Sequence, residues 1–537
     1  MRLQLRRMSF RSCRWGRLGS RVDDVRLCMK RQSFLFLLRR AGSLLRFVIT
    51  SMVVASCAFL NPALAWAEQA SALVLHRTVT FADRQTYIEL PFEVPEGVTR
   101  VSIETSYTER EKHTTIDLGL FDSERFRGWS GGNKSSFTVS ETGATPSYLP
   151  GPVRGGRWRL VLGVPSIREG VRSEFTAKVY FAWAGDSPGV STFSEVPLRG
   201  GPAWYRGDLH MHDAHSDGSC LSQSGKKVPC PLYKTVETAA QRGLDFIAIS
   251  DHNTISQFDA MRELQPYFDH LLLLPAREIT TFYGHANVFG TTEFIDFRLT
   301  SSYVPDINHL LKQVQDLHGL ISLNHPGLPS GEICMGCGWT APNTDFKMIN
   351  AIEVINGDLG EGPGSGIPLW EEELNKGFRL TGIGGSDNHN ADIARDGRSA
   401  IGRPTTVIHA RELSDRALLD GIKAGHVFID AEGTKNRTVE FEAKTDSDTA
   451  AMGDSIHAAA GQKAHFNLRM IALQGAYPEV IEDGQSTTLM DKTVCAEPDE
   501  TKGFDYTSDG HRHWFRVNIR STNGLLLVIG NPIYLNF

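Results

Sequence analysis

Hydrophobic and polar residues follow different patterns in successive parts of the chain. Between residues 70 and 197, short runs alternate apolar and polar side chains and are separated by Gly, Pro and Ser. Such period-two alternation predicts antiparallel strands with one buried face, and several in succession predict a β-sandwich. The last hundred residues show the same alternation. The sequence therefore predicts a β domain towards each end, at residues 68–198 and 433–537.

The middle of the chain, residues 199–432, has another pattern. Apolar runs such as 245–250 and 319–325 are flanked by stretches with helical spacing, such as 256–268 and 306–319. Strands that alternate with helices predict a parallel sheet with right-handed crossovers, either barrel-like or doubly wound. The predicted fold class is therefore α/β, flanked by an N-terminal β-sandwich and a small C-terminal β domain.

The first 67 residues differ from the rest in charge. They hold 13 Lys and Arg but only two acidic residues, and they end in an apolar stretch, 47–67, that finishes with Ala-Trp-Ala. A basic region, an apolar region and an A-x-A site are typical of a secretory signal. We therefore predict an exported protein, periplasmic or extracellular, that begins near Glu68. A transmembrane anchor and a lipid anchor at Cys57 are the alternatives.

The charge balance narrows the range of partners. The chain carries a net charge of -6, and because residues 1–67 carry +11, the remainder carries -17. An acidic protein body repels phosphate backbones, so no nucleic-acid partner is expected. The mature part has no second long apolar run, so no stable membrane span is expected there.

Five cysteines follow the predicted leader. In an oxidising compartment, two pairs that are local in sequence predict disulfides, Cys220 with Cys230 and Cys334 with Cys337, with Cys495 left over. A Cys-x-x-Cys pair can also be half of a zinc ribbon or a redox site. The sequence has no second such pair to complete a ribbon and no thioredoxin-like helix start, which favours the disulfide interpretation.

Candidate metal ligands occur where the apolar runs of the middle region end. The strand predicted at 204–208 leads into His210 and His212, whose alternating positions place both imidazoles on one side. Other apolar runs also end in His, Asp or Glu, and the carboxyl ends of parallel strands converge on one crevice. The predicted metal ligands are His210, His212, Asp217, His252, Glu278, His285, His325, Asp387 and His389. Nine mixed ligands suit two or three divalent ions that share a bridging carboxylate.

Over residues 200–430, the sequence resembles the PHP (polymerase and histidinol phosphatase) metallohydrolases. The resemblance rests on five segments in order: GDLHMHDAHSDG, FIAISDHN, Glu278 to His285, LNHPG and GGSDNH. The EVING segment, the helix around Trp370 and the closing NPIYLN resemble the CehA/McbA branch.

This resemblance implies a distorted (β/α)7 barrel with a metal centre of two or three ions. It implies one ion held by His210, His212, Glu278 and Asp387, a second held by Asp217, His252 and His389, and a third that shares Glu278 with His285 and His325. The insertion CMGC, residues 334–337, departs from the family pattern.

Three residues near these ligands are candidates for a direct part in catalysis: Asp217, His215 and Asp251. His215 could protonate a leaving group, or it could be a solvated loop histidine. Asp251 could orient the neighbouring His252, or it could simply form a turn.

Clustered divalent ions lower the pKa of bound water towards neutrality and polarise the oxygen under attack. We therefore predict a metal-dependent hydrolase that acts on a small-molecule ester, most simply a phosphoesterase, with Zn, Mn or Fe as the metal. One alternative is a carboxylic or carbamate ester hydrolase, which would use the same hydroxide. Another is an exported binding protein with a structural metal site. The oligomeric state does not follow from the sequence.

Overall fold

The computed structural model describes residues 73–186, 189–331, 334 and 336–537. Residues 70–537 form one compact unit. The predicted leader, residues 1–67, lies outside the described residues, and its interpretation as a secretory signal stays a prediction. Among the described residues, no helix is long and apolar enough to cross a membrane.

The described residues form 29 strands, five α-helices and three short 3-10 helices. The strands are β1 (Leu73–Thr80), β2 (Tyr87–Val94), β3 (Val98–Tyr107), β4 (Thr115–Phe121), β5 (Phe126–Gly131), β6 (Ser136–Ser140), β7 (Gly156–Ser166), β8 (Arg172–Trp183), β9 (Arg199–Asp208), β10 (Ser219–Leu221), β11 (Lys227–Pro229), β12 (Phe246–Ile249), β13 (Leu272–Thr281), β14 (Gly284–Phe289), β15 (Leu320–Leu323), β16 (Ala351–Asn356), β17 (Thr381–Gly385), β18 (Thr405–Leu413), β19 (Val427–Asp430), β20 (Thr438–Lys444), β21 (Thr449–Ala451), β22 (Ser455–Ile456), β23 (Lys463–Ile471), β24 (Ala476–Glu482), β25 (Gln485–Ser486), β26 (Asp499–Thr507), β27 (His513–Ser521), β28 (Leu526–Gly530) and β29 (Ile533–Leu535). The α-helices are α1 (Leu232–Arg242), α2 (Gln257–Leu264), α3 (Ile307–Asp316), α4 (Ile367–Lys376) and α5 (Asp415–Ala424). The 3-10 helices are Phe81–Asp83, Arg110–Lys112 and Phe346–Met348.

The first eight strands form two antiparallel four-stranded sheets, in the orders β1-β8-β3-β6 and β2-β7-β4-β5. Strand β8 shows why the alternating pattern produces a sheet with one buried face. Its buried positions, Ser173, Phe175, Ala177 and Val179, recur every second residue, as the pleat of a strand requires. Phe175, Ala177 and Val179 join a hydrophobic core that both sheets share and that includes the fully buried Trp158.

A single 15-stranded sheet runs through the middle and C-terminal parts of the chain. Its main path is β17-β16-β15-β14-β13-β12-β9-β18-β19-β28-β27-β24-β25, and β29, which pairs with β27 and β22, branches from it. Strands β9, β12 and β13 are mutually parallel, and so are β15, β16 and β17. A separate antiparallel sheet, β21-β20-β23-β26, lies in the C-terminal part.

The fold of the described residues is dominated by sheets, and their strand order does not show the expected (β/α)7 barrel. Strand β14 runs antiparallel to both β13 and β15, and a tight hairpin joins it to β13. The described chain between β9 and β18 contains four α-helices, α1 to α4. Strand β14 pairs antiparallel to β13 because only residues 282–283 join them, whereas a crossover to a parallel strand needs a dozen or more residues. Strand–helix alternation is present on either side of this hairpin.

The first and last parallel strands of the middle region meet beyond their carboxyl ends. The backbone N–H of Asp387, after β17, donates to the carbonyl of His210, after β9, at 2.8 Å. The N–H of His212 donates to the carbonyl of Asn388 at 2.9 Å. Gly385 permits this approach, because a Cβ at this position would lie 2.4 Å from the Cβ of His210. The two strand ends thereby place their histidines and carboxylates beside one another.

Candidate metal centre

The structure brings all nine predicted ligands to one end of the parallel strands. Most follow directly after a strand or lie near its end, whereas Asp217 lies in the loop between β9 and β10. The ligands that follow β9, β12, β15 and β17 come from segments far apart in sequence. They meet because parallel strands share a common direction, so their carboxyl ends lie at the same edge.

The Glu278 carboxylate lies at the middle of the cluster and is fully buried. Its oxygens lie within 3.5 Å of a ring nitrogen of five histidines: His210, His212, His252, His285 and His325. One oxygen, Oε2, faces His210, His212 and His252, and the other, Oε1, faces His285 and His325. This division allows one carboxylate to serve ions on two sides.

The donor atoms fall into overlapping groups that could each hold an ion. Within each group, one possible ligand atom per residue lies within 4.8 Å of the others. Three such groups are His212 with Asp217, His252 and His389; His210 with Glu278 and His325; and His210 with His212 and Asp387. The first contains all three residues that the resemblance assigns to a second ion, with His212 in addition. The residues assigned to the first ion are divided between the other two groups.

Unpaired donor atoms show that the centre fits a cation. Among the residues that the structure describes, the buried atoms without a hydrogen-bond partner include His210 Nε2, His212 Nδ1 and Glu278 Oε2. A buried polar atom left unpaired costs about 1–3 kcal/mol, and a bound ion would offset this cost. Imidazole nitrogens together with carboxylate oxygens suit Zn, Mn or Fe.

The electrostatics of the cluster keep its carboxylates ionised. Burial disfavours charge on Glu278, but the charge of His210 and the neighbouring imidazoles outweigh that effect and hold the pKa of Glu278 well below its ordinary value. The pKa of Asp387 is also well below its ordinary value, because the effects of His210 and His212 outweigh the opposite effect of burial. Burial lowers the pKa of His212 to about 4, so this imidazole is neutral at pH 7. The carboxylates of Asp387, Glu353 and Glu278 outweigh burial and raise the pKa of His210 well above its ordinary value, so an ion that binds there would displace a proton from this imidazole.

Glu353, in the buried strand β16, contacts the candidate ligands although the sequence-based ligand set lacks it. Its Oε1 lies 2.9 Å from His210 Nδ1. Its Oε2 accepts hydrogen bonds from the backbone N–H of His325 at 2.9 Å and from Asn356 Nδ2 at 3.1 Å. A carboxylate on the outer nitrogen of an imidazole orients the ring, so that Nε2 of His210 is the nitrogen that faces the centre. The available signal was a single Glu inside the otherwise apolar run 351–355.

Two asparagines also position Glu278, and neither was predicted. Asn324 Nδ2 donates to Glu278 Oε1 at 2.8 Å and to Asn287 Oδ1 at 2.9 Å. Asn287 in turn donates from Nδ2 to the carbonyl of Leu209, at 3.0 Å, directly before His210. This chain of hydrogen bonds couples the orientation of Glu278 to the end of β9.

The three candidate catalytic residues occupy different environments. Asp217 is exposed, and its Oδ1 lies 3.4 Å from His389 Nε2. His215 is partly buried, and its hydrogen bond to Asp213, at 2.7 Å, is the largest cause that raises the pKa of its imidazole. Asp251 is fully buried, and burial together with the neighbouring Asp213 raises its pKa to about 7.

The hydrogen bonds of Asp251 show what this residue contacts. Its Oδ1 accepts from the backbone N–H of Asp213, at 3.0 Å, and from the hydroxyl of Ser216. Asp251 therefore braces the loop that carries His215 and Asp217. His252 instead has Thr280 Oγ1 at 2.6 Å from its Nδ1.

Both predicted cysteine pairs lie at disulfide distance. The Cα atoms are 4.9 Å apart for Cys220 and Cys230, and 5.6 Å apart for Cys334 and Cys337. Among the described cysteines, Cys495 alone has no such partner, and it is buried.

Comparisons with known proteins found matches among solved structures. No protein-family model matches the chain, and no curated protein matches it. One similar structure is a two-domain protein from Bacteroides vulgatus described as containing a predicted PHP-like metal-dependent phosphoesterase. It is 18% identical, the match covers 64% of this chain and 97% of that one, and the TM-score is 0.37. Another is a protein from Bifidobacterium adolescentis titled as a candidate metal-dependent phosphoesterase, 16% identical over 40% of this chain and 94% of that one, with a TM-score of 0.26.

Proposed function

We propose that this protein is an exported metal-dependent hydrolase of the PHP superfamily, in its CehA/McbA branch, and that it cleaves phosphate esters. The observation that carries the proposal is the arrangement around Glu278, where five imidazoles lie within 3.5 Å of one buried carboxylate. A structural metal site is usually closed by four ligands. Nine ligand residues in overlapping groups suit a polynuclear, catalytic centre instead.

Each ion of the proposed centre would have its own set of ligands. One ion would be held by His210, His212, Glu278 and Asp387, a second by Asp217, His252 and His389, and a third by Glu278, His285 and His325. When bound, such ions supply a hydroxide at neutral pH and polarise the oxygens of the ester.

The other residues of the site position these ligands and move protons. Glu353 holds the proton on His210 Nδ1, which leaves Nε2 free to ligate. Asp251 and Asp213 brace the loop that presents Asp217. His215, hydrogen-bonded to Asp213, is our candidate for the group that gives a proton to the leaving oxygen. Export is supported by the two cysteine pairs, since disulfides persist in oxidising compartments.

The test combines metal analysis with a substrate panel on the purified full chain. We expect two or three equivalents of divalent metal and turnover of phosphomonoesters or phosphodiesters that a chelator abolishes and added metal restores. Glu263→Gln, on the exposed side of α2, is a matched control that should keep both properties.

Two results would count against the proposal. A protein that binds none of Zn, Mn or Fe has no such centre. Metal-dependent cleavage of aryl carboxylic esters or carbamates, without phosphatase activity, would favour the alternative ester substrate.

A further inference from the structure

A cysteine lies against the proposed metal centre. Cys337 is buried, and its Sγ lies within 4.8 Å of one ring nitrogen of His285 and one of His325. The backbone carbonyl of Cys337 also lies 3.2 Å from His325 Nδ1. The residue therefore contacts one proposed ligand through its backbone and places its sulfur beside two of them.

The segment around Cys337 is anchored on both sides of the centre. The N–H of Trp339 donates to the carbonyl of Pro326 at 3.1 Å, next to His325. The N–H of Thr340 donates to the carbonyl of Tyr283 at 2.6 Å, in the hairpin that leads to His285. The position of Cys337 is thus tied to the two strands that carry the neighbouring histidines.

The chemistry of this sulfur depends on its oxidation state. A cysteine thiolate binds Zn and similar ions strongly, and with two imidazoles it forms a common ligand set. In a disulfide with Cys334, which lies at disulfide distance, the same sulfur carries no negative charge. Cys337 cannot be a disulfide partner and a thiolate ligand at once.

We propose that Cys337 is a redox-controlled ligand of the ion at His285 and His325. When oxidised, Cys337 is bonded to Cys334, and the ion has only Glu278 and the two imidazoles. Reduction by a dithiol breaks the S–S bond with two electrons and two protons, yields two thiols and converts the dithiol to its own disulfide. The ion then displaces the proton of Cys337, and a sulfur–metal bond forms. This inference rests on the metal centre of the proposed function and adds a means of regulating it.

Cobalt substitution of the full chain tests the sulfur–metal bond directly, because a cobalt–thiolate bond has a charge-transfer band in the near ultraviolet. In Cys334→Ser, Cys337 cannot form the disulfide and remains a thiol. Cys337→Ser is the matched control, because it also lacks the disulfide but has no sulfur at position 337 that could bind the ion. We expect the band in Cys334→Ser and its complete loss in Cys337→Ser. In the parent, the band should be absent before reduction and appear after treatment with a phosphine, which takes its oxygen from water as it reduces the disulfide.

The outcomes separate this inference from the proposed function. Cobalt bound by Cys334→Ser and by the reduced parent without a charge-transfer band would overturn the role of Cys337 and leave the metal centre standing. A parent chain that binds no cobalt would overturn both. Circular dichroism shows whether each variant folds, and should Cys334→Ser fail to fold, the parent before and after reduction still decides.

Discussion

At the scale of single residues, Glu353 contacts two of the proposed ligands without being a proposed ligand itself. Oε2 of Glu353 accepts hydrogen bonds from the His325 N–H and from Asn356 Nδ2, and Oε1 lies beside His210 Nδ1. Both oxygens of the carboxylate therefore have polar partners. Its burial at 2 % exposure means that water cannot replace a lost partner. Such outer carboxylates typically change metal affinity or activity by about 10- to 100-fold.

Glu353→Gln is therefore expected to weaken metal binding by about 10- to 100-fold. The new NH2 group must face either His210 Nδ1–H or the N–H of His325, and both are donors. Competition with a chelator measures the affinity. Glu372→Gln, an exposed change on α4, is the control. Equal affinities for the two variants would show that Glu353 has no positioning role.

Glu278→Gln should lower the metal content more than Glu353→Gln does. The change removes a negative charge from between the proposed ions, so that repulsion between cations is no longer offset. Metal stoichiometry and turnover are expected to fall together. His325→Ala should be milder, because one ion loses one ligand. Elemental analysis and rate measurements on the same samples compare the variants. Full metal content and full activity in Glu278→Gln would mean that it is not a bridging ligand.

At the scale of elements, the end of β17 must approach β9 closely. A Cβ at Gly385 would lie 2.6 Å from Glu353 Oε1 as well as against His210. We expect Gly385→Ala to lower stability by about 1–3 kcal/mol through overpacking and to weaken metal binding. In the control Gly364→Ala, the added methyl group meets no atom within 4 Å. Urea unfolding and metal titration measure both effects, and an undisturbed Gly385→Ala protein would rule out this close contact.

The first residue of helix α5, Asp415, predicts a pH dependence of stability. Burial raises the pKa of its carboxyl to about 7, compared with about 3.9 in an unfolded chain. Between about pH 4 and pH 7 the folded state binds more protons than the unfolded state, so this group lowers the free energy of unfolding as the pH rises. Asp415→Asn cannot ionise and should escape that loss.

The expected difference between Asp415→Asn and the parent is small at pH 4 and grows to about 4 kcal/mol in favour of the variant at pH 8. Denaturant unfolding at both pH values measures it. Asp420→Asn, an exposed change on the same helix, should differ from the parent by less than about 0.5 kcal/mol at either pH. A pH-independent difference for Asp415→Asn would show that Asp415 is ionised throughout.

At the scale of the whole molecule, the C-terminal strands complete the structure that carries the site. Strand β28 pairs with β19, and one hydrophobic core combines Val407 and Phe428 with Phe515. The buried Asn531 accepts from the N–H of Gly382 at 2.7 Å and donates to the carbonyls of Gly382 and Val427. The C-terminal part therefore shares a sheet with the strands that carry the proposed metal ligands, and its core includes Val407 of β18 and Phe428 of β19.

A chain that ends at residue 432 should consequently fail to fold into a metal-binding form, because β19 would lose β28, one of its two partner strands, and the shared core would be exposed. The full chain is the control. Asn531→Ala is a milder variant that should lose about 3 kcal/mol of stability, since three hydrogen bonds disappear. Solubility, metal content and unfolding are the measurements. A soluble, metal-loaded chain ending at 432 would show that the middle region is an independent domain.

The sequence by itself determined the features that depend on local spacing. The period of two in residues such as Phe175, Ala177 and Val179 predicts a strand with one buried face. The His-x-His at 210–212 and the polar residues after successive apolar runs predict one shared site, because strand direction alone brings such ends together. These inferences need no knowledge of which strands are neighbours.

Only the tertiary structure decided which distant segments meet. Glu353 lies beside His210 although 143 residues separate them, and β17 meets β9 through backbone contacts that no local pattern encodes. The hairpin from β13 to β14 replaced an expected helical crossover, and the C-terminal strands extended the central sheet. The physical reason is that side-chain periodicity reports which face of a segment is buried, whereas strand order and register depend on how all buried faces pack together.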